Sequence, residues 1–363
     1  MTLRDAVRDA PAYSFTAHAH RVKLDQNEAP DDLAPALKRR VTERLLDATW
    51  NRYPELRAGS VASAIAHRDD WNEEGVVVAP GSNVLIQAAV IAAGIGRTVV
   101  TVAPTFAVYA QQAQLLGARL HQVPLRGDDF ALDVPALEAA LQDGPGVLFL
   151  ADPAAPTGQR LDDDALSAVL HAAERGGFLV VLDEAYWPYA GRHRLDLVRG
   201  RPDRLALRTF SKVDGLGGVR LGYALTDPDT ARNLGKVLLP FDVSVLQATV
   251  ATTVLADPDA VQARQRRIDT ARSERGRVAA TLTTLPGVQV HPSVTNFLLF
   301  RVADPAAVHR ALLARGVLVR RQDHLPGLPG RLRVTIGTEQ ENDAFLAAVT
   351  AVVGDAEGAT PHG

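Results

Sequence analysis

From residue 76 to residue 225 the chain repeats one pattern: a short apolar, β-branched run, a small or polar residue at its end, then a segment with helical spacing. The runs are Val76–Ala79, Thr98–Val102, Leu120–Val123, Val147–Ala151, Phe178–Leu182, Leu205–Thr209 and Leu221–Leu225. They are apolar at nearly every position rather than at alternate ones, which suits strands covered on both faces. Their alternation with helical segments predicts an α/β fold, with a mostly parallel seven-stranded sheet flanked by helices. The pattern leaves open whether one strand runs antiparallel. Ser82 or Asn83 is placed to cap a helix through Val84–Ala93, ended by Gly94 and Gly96. Asp162–Asp164 opens another through Ala165–Arg175, closed by Gly176 and Gly177.

After about Asp227 the pattern changes. Val261–Leu282 reads as a long helix, and Asn296–Val302 and Leu332–Ile336 as strands on either side of a helix over Pro305–Arg315. This is α+β in character. A large domain over 36–250 is expected, with a small domain built from 1–35 and 251–353 and a disordered tail over 354–363. The first 35 residues carry no sheet of their own and are expected to dock on the small domain.

Composition narrows the class. The chain has 363 residues, 47% hydrophobic and 22% charged, with a formal net charge of −3. That is a globular balance, and too little positive charge for a broad nucleic-acid surface. The absence of cysteine excludes disulfides, thiolate metal sites and cysteine nucleophiles. The first nine residues mix charges and lack the apolar run of a signal peptide, and no stretch approaches the ~18 apolar residues that span a bilayer. A cytoplasmic protein with no membrane or metal partner is expected.

Ligands of open α/β sheets bind beyond the carboxyl ends of the strands, and there the chemistry collects. Pro80-Gly81-Ser82-Asn83 follows one run, Pro104-Thr105-Phe106 another, Asp152-Pro153-Ala154-Ala155-Pro156-Thr157-Gly158 a third, Asp183-Glu184-Ala185-Tyr186 a fourth, and Phe210-Ser211-Lys212 a fifth, with Arg220 beyond it. Singly each has a plain structural reading. Gly-Ser-Asn before a helix is usually a cap, although free N–H groups there also suit a phosphate. Phe106 suits a core, and Lys212 alone suits the surface. Asp183 is harder to dismiss, because a carboxylate after five apolar residues needs a cationic partner.

Taken in order, these pieces resemble the fold-type I aminotransferases that use pyridoxal 5′-phosphate (PLP). The likeness runs from about Lys23 to Thr338 and is most specific over Thr209–Tyr223. Lys23–Pro30, Asn51–Glu55, Pro240–Ser244, Thr295–Phe297 and Leu332–Thr338 are similar to the histidinol-phosphate branch of that family. The resemblance implies that Lys212 carries PLP as a Schiff base and moves the substrate's proton. Asp183 would hold the ring nitrogen protonated, Tyr186 would bond the phenolic oxygen, and Phe106 would stack on the ring. Ser82, Asn83, Thr209, Ser211 and Arg220 would hold the cofactor phosphate. Tyr53 would reach the phosphate in the partner subunit of a homodimer. Arg333 would bind the substrate's anionic end, helped by Tyr13 and by Arg320 or Arg321.

The implied reaction moves an amino group between histidinol phosphate and 2-oxoglutarate, in histidine biosynthesis. One departure stands out. Ala155 occupies the position where the family has an asparagine that donates to the phenolic oxygen, a loss on the order of 1.5–3 kcal/mol. The alternatives are an aminotransferase for another amino acid, a PLP-dependent decarboxylase of an amino-acid phosphate, and a PLP-binding protein without turnover. A dinucleotide-binding protein fails on glycine spacing.

Overall fold

The computed structural model describes residues 2–10 and 18–358. After the two-residue strand β1 (Val22–Lys23) come the strands of the large sheet: β2 (Val76–Ala79), β3 (Thr98–Ala103), β4 (Arg119–Pro124), β5 (Gly146–Ala151), β6 (Phe178–Asp183), β7 (Arg204–Thr209) and β8 (Gly222–Thr226). Each expected run is a strand, with ends displaced by a residue or so. Their order across the sheet is β2-β8-β7-β6-β5-β3-β4. All neighbours are parallel except β8, which is antiparallel to both β2 and β7. β8 can run that way because Phe210–Leu221 turns back without a crossover helix.

The continuous hydrophobicity of the runs has a direct cause. Val147 and Phe149 of β5, with Leu205 and Leu207 of β7, pack on one face beside Leu85, Ile86 and Ala89. Leu148, Leu150 and Ala206 pack on the other face with Leu166, Val169 and Leu170. Both sides of the pleat are therefore buried, and no polar alternation survives.

The helix after β2 spans Ser82–Ala93, and its N-cap is Gly81, at φ 94° and ψ 151°, rather than Ser82 or Asn83. A side chain has no room in this turn. A Cβ at Gly81 would lie 3.1 Å from Nη2 of Arg220, and one at Gly222 would lie 2.3 Å from the backbone nitrogen of Ser82. The helix Asp163–Arg175 is capped by Asp162, as expected, through a bond from the Ala165 N–H.

A second sheet follows, of β9 (Gln289–Val290), β10 (Phe297–Arg301), β12 (Arg320–Arg321) and β13 (Arg331–Thr335), ordered β12-β13-β10-β9 and antiparallel throughout. Leu298, Phe300, Leu332 and Val334 point to a core shared with Val278, Leu312, Phe345 and Val349. By the period of two, Phe297, Leu299, Arg331, Arg333 and Thr335 occupy the opposite face. β11 (Val317–Leu318) pairs in parallel with β1, and the Thr335 N–H donates to the Leu24 carbonyl. The stretch Val22–Leu24 thus docks on the C-terminal third.

Two expectations shift. The boundary placed after residue 250 falls inside the helix Val245–Ala256, whose Ala251 and Val254 are buried in the large sheet's core. The apolar face of that helix overrides the change in composition. The final helix, Glu339–Gly358, runs past the point where a disordered tail was expected. Val352 and Val353 are buried and anchor it, and one exposed glycine at position 354 costs only about 1 kcal/mol. Among the described residues no helix is long and apolar enough to cross a membrane.

Candidate active site

Beyond the carboxyl ends of β5, β6 and β7 lies a cavity of ≈ 200 Å3. Ser82, Asn83, Phe106, Asp183, Tyr186, Thr209, Ser211, Lys212 and Arg220 all line it, together with Ala155. Nine residues scattered over 139 positions of sequence converge because each ends a strand, opens a helix or lies in the loop between β7 and β8, all at the same edge of one sheet. A larger cavity, of ≈ 800 Å3, lies between the segments around Leu56 and Leu239 and holds none of them.

Two adjacent acids at the end of β6 have different surroundings. Glu184 is buried and paired with Arg208, Oε2 to Nη2 2.8 Å. Asp183 is 7% exposed and forms no ion pair among the described residues. Its Oδ2 accepts a hydrogen bond from the Tyr109 hydroxyl at 2.6 Å, and its Oδ1 one from the Ala185 N–H at 3.0 Å. Burial pushes its carboxyl above the usual carboxylate range. The same burial, with Asp183 beside it, pushes the Tyr109 phenol well up, so Tyr109 stays a donor. A buried carboxylate on a cavity wall that lacks a counter-ion fits a ligand with a cationic ring nitrogen.

The Lys212 Nζ donates to the Gln26 carbonyl at 2.8 Å and lies 5.7 Å from the centre of the Tyr186 ring. The Tyr186 hydroxyl accepts from Asn27 Nδ2 at 2.9 Å. Ala155 packs with Tyr186, Val213 and Phe297 and brings only a methyl group to the wall.

At the end of the cavity beside Gly81 and Ser82, Arg220 sits at φ 60°, its Nη1 donating to the Gly217 carbonyl at 2.9 Å and more weakly to Ser211 Oγ at 3.4 Å. The Ser211 N–H is fixed on Thr209 Oγ1 at 3.0 Å. The first turn of the helix from Ser82 and this guanidinium meet across a turn stripped of side chains at Gly81 and Gly222. Bare N–H groups, hydroxyls and one exposed arginine together fit a phosphate dianion.

Other expected residues stand apart. Arg333 lies outside the cavity wall; its Nη2 donates to the Asp25 carbonyl at 2.7 Å, and its guanidinium is 5.4 Å from the Phe297 ring, which itself lies edge-on to Tyr186. Arg320 is its cross-strand neighbour on the same face. Arg321 points the other way and pairs with Asp323 at 2.6 Å. Tyr53 is 84% exposed, stacked on Phe241 and away from this cavity. Tyr13 lies outside the described residues.

The sequence reading missed Tyr109 and gave no role to Asn27 or to the Gln26 carbonyl. Tyr109 had one available signal, an aromatic three residues after Phe106 at the start of the helix Val108–Leu115. The bonds that the Gln26 carbonyl makes with Lys212 and Asn27 with Tyr186 span more than 150 residues and left no local trace.

Comparisons with known proteins agree with this geometry. The family model described as "Aminotransferase class I and II" matches residues 19–349. A histidinol-phosphate aminotransferase of Deinococcus radiodurans is 45% identical over 351 residues, 96% of each chain. Histidinol-phosphate aminotransferase 2 of Nitrosococcus oceani is 37% identical over 355 residues, again 96% of each. Among solved structures, the histidinol-phosphate aminotransferase of Sinorhizobium meliloti in complex with pyridoxal-5′-phosphate superposes with a TM-score of 0.84 at 23% identity, over 98% of each chain. A putative aminotransferase from Burkholderia pseudomallei does so with 0.79 at 27% identity, over 93% of this chain and 99% of that one.

Proposed function

The chain belongs to the class I and II aminotransferases, PLP-dependent enzymes, and from that premise we propose that its amino donor is histidinol phosphate and its acceptor 2-oxoglutarate, in histidine biosynthesis. PLP, when bound, supplies a cationic ring that accepts the electron pair left when a proton leaves the substrate carbon. The remaining work falls to the protein. Lys212 holds the cofactor covalently and moves the proton at the substrate carbon. Asp183, kept in place by Tyr109 and the Ala185 N–H, keeps the ring nitrogen protonated. Tyr186 donates to the phenolic oxygen, and Phe106 covers the ring. Ser82, Asn83, Thr209, Ser211 and Arg220 hold the phosphate.

Arg333 and Arg320 support the choice of substrate. The two arginines stand opposite each other on one face of β13 and β12. A phosphate ester with two charges satisfies both. The single observation that carries the reading is the meeting of Lys212 and the unpaired, buried Asp183 on one cavity wall with Arg220 at its phosphate end.

A homodimer acting in the cytoplasm completes the proposal, with Tyr53 reaching the partner's cofactor. Its support is an apolar surface left exposed among the described residues: Tyr53 stacked on Phe241, and Leu56 and Leu239 on the wall of the larger cavity. The test is a half-reaction. The purified holoenzyme mixed with histidinol phosphate alone should lose its visible absorption and release the ketone product. Conversion with other amino acids but not with histidinol phosphate would overturn the substrate; release of carbon dioxide without amino transfer would overturn the reaction. Sedimentation of the holoenzyme as a monomer would overturn the dimer.

A further inference from the structure

We infer that Asn27, acting through the Tyr186 hydroxyl, supplies at the cofactor's phenolic oxygen the polarisation that Ala155 withholds. The inference rests on the reading of the cavity as a PLP site.

Asn27 is 1% exposed and sits at φ 54°, a backbone region that asparagine tolerates better than most residues. Thr335 fixes which way its amide points. Thr335 Oγ1 accepts the Asn27 N–H at 2.9 Å and spends its own proton on Asn27 Oδ1 at 3.2 Å. Nδ2 is then the atom facing Tyr186, and it donates to that hydroxyl at 2.9 Å. The reverse orientation would strand the threonine proton. The segment is held elsewhere as well, by Asn296 Nδ2 on the Asn27 carbonyl at 3.1 Å and by Arg333 on the Asp25 carbonyl at 2.7 Å.

A phenol whose oxygen already accepts one bond keeps its proton for another partner. Bonds in such a chain also strengthen one another. On the cavity side Ala155 offers no donor, and the hydroxyl of Tyr109 is engaged by Asp183. Tyr186 therefore carries the interaction alone, with Asn27 behind it. Two donors side by side are replaced by two donors in line. Asn27 touches neither cofactor nor substrate and is a positioning residue.

The readout is the pH midpoint of the visible absorption of the bound cofactor. Deprotonation leaves the phenolic oxygen with its full negative charge, so donors to it lower that midpoint. Asn27→Gly keeps the backbone conformation and removes the amide; the midpoint should rise by about one unit. Asn27→Asp should raise it at least as far, because the carboxylate accepts the Tyr186 proton and draws it from the cavity. Ala155→Asn should lower it. The Asn27→Gly effect should vanish in a Tyr186→Phe background, which a merely structural role would not require. An unchanged midpoint in Asn27→Gly, or an equal shift with and without the Tyr186 hydroxyl, would overturn the inference. If Asn27→Gly does not fold, the isosteric Asn27→Asp carries the test by the same criteria. Failure of the underlying reading looks different: wild-type protein would then yield no borohydride-fixed cofactor on Lys212.

Discussion

The Tyr109 hydroxyl donates a 2.6 Å hydrogen bond to Oδ2 of Asp183, both residues buried where the large sheet's core meets the cavity wall. Tyr109 lies on the helix after β3 and Asp183 at the end of β6, so the bond joins two elements only in the folded sheet. In this reading the tyrosine keeps the carboxylate ionised and aimed. Tyr109→Phe should weaken PLP binding by roughly tenfold or more, the value of one hydrogen bond to a charged acceptor, while borohydride still fixes the cofactor on Lys212. Equilibrium titration of the apoprotein with PLP measures this, and unchanged affinity would count against the role.

Asp183 also predicts opposite effects on stability and on binding. Burial raises its folded pKa above the unfolded value, so the folded apoprotein binds more protons through that window. Its contribution to stability is present below the unfolded pKa and is lost as pH rises through the folded one. Asp183→Asn should therefore melt higher than wild type as apoprotein at pH 7, with the difference shrinking near pH 4. The same variant should lose cofactor affinity. Melting curves with and without PLP test both halves.

His291 gives a second, independent pH effect. Its Nε2 accepts from Arg331 Nε at 3.0 Å, and burial and that guanidinium hold its pKa below the ordinary histidine value. A lowered folded pKa means stability present above pH 6.5 and lost as pH falls toward the folded value. His309 behaves similarly through burial, so a variant must isolate each. His291→Gln, which keeps an acceptor for Arg331, should flatten part of the fall in melting temperature below pH 6.5. A slope identical to wild type would remove His291 from the account.

Arg333 carries the substrate prediction. Arg333→Ala should lower kcat/KM for histidinol phosphate by about 10–100-fold, one charge-assisted contact. PLP affinity should change little, since Arg333 is off the cavity wall. Arg333→Lys should recover only part of the loss, because an ammonium cannot span two oxygens. Equal losses with a substrate lacking the phosphate would argue that Arg333 acts mainly by holding the Asp25 carbonyl.

Lys212→Ala should abolish amino transfer, a loss of at least roughly 10²–10⁴-fold for the proton transfers alone. The protein should still fold, because Lys212 leaves only the Gln26 carbonyl without its donor. Mass spectrometry after borohydride should find no cofactor on the chain.

The sequence by itself determined the sheet and most of the site. Strands buried on both faces announce themselves as unbroken apolar runs, and chemistry at their carboxyl ends is local in sequence. Asp183 therefore stood out by its position after an apolar run, whereas Lys212 and Arg220 drew meaning only from the order of the motifs and the family they resemble. Tertiary structure decided what depends on distant partners. Gly81 took the cap from Ser82 because Arg220 and β8 crowd that turn. The helix Val245–Ala256 joined the large core because its apolar face found one there. Asn27 reached Tyr186 because the Leu24 carbonyl accepts the Thr335 N–H at the end of β13 and so brings residues 335 and 27 together. Such contacts are made by folding, between residues hundreds of positions apart, and no window of sequence contains both ends.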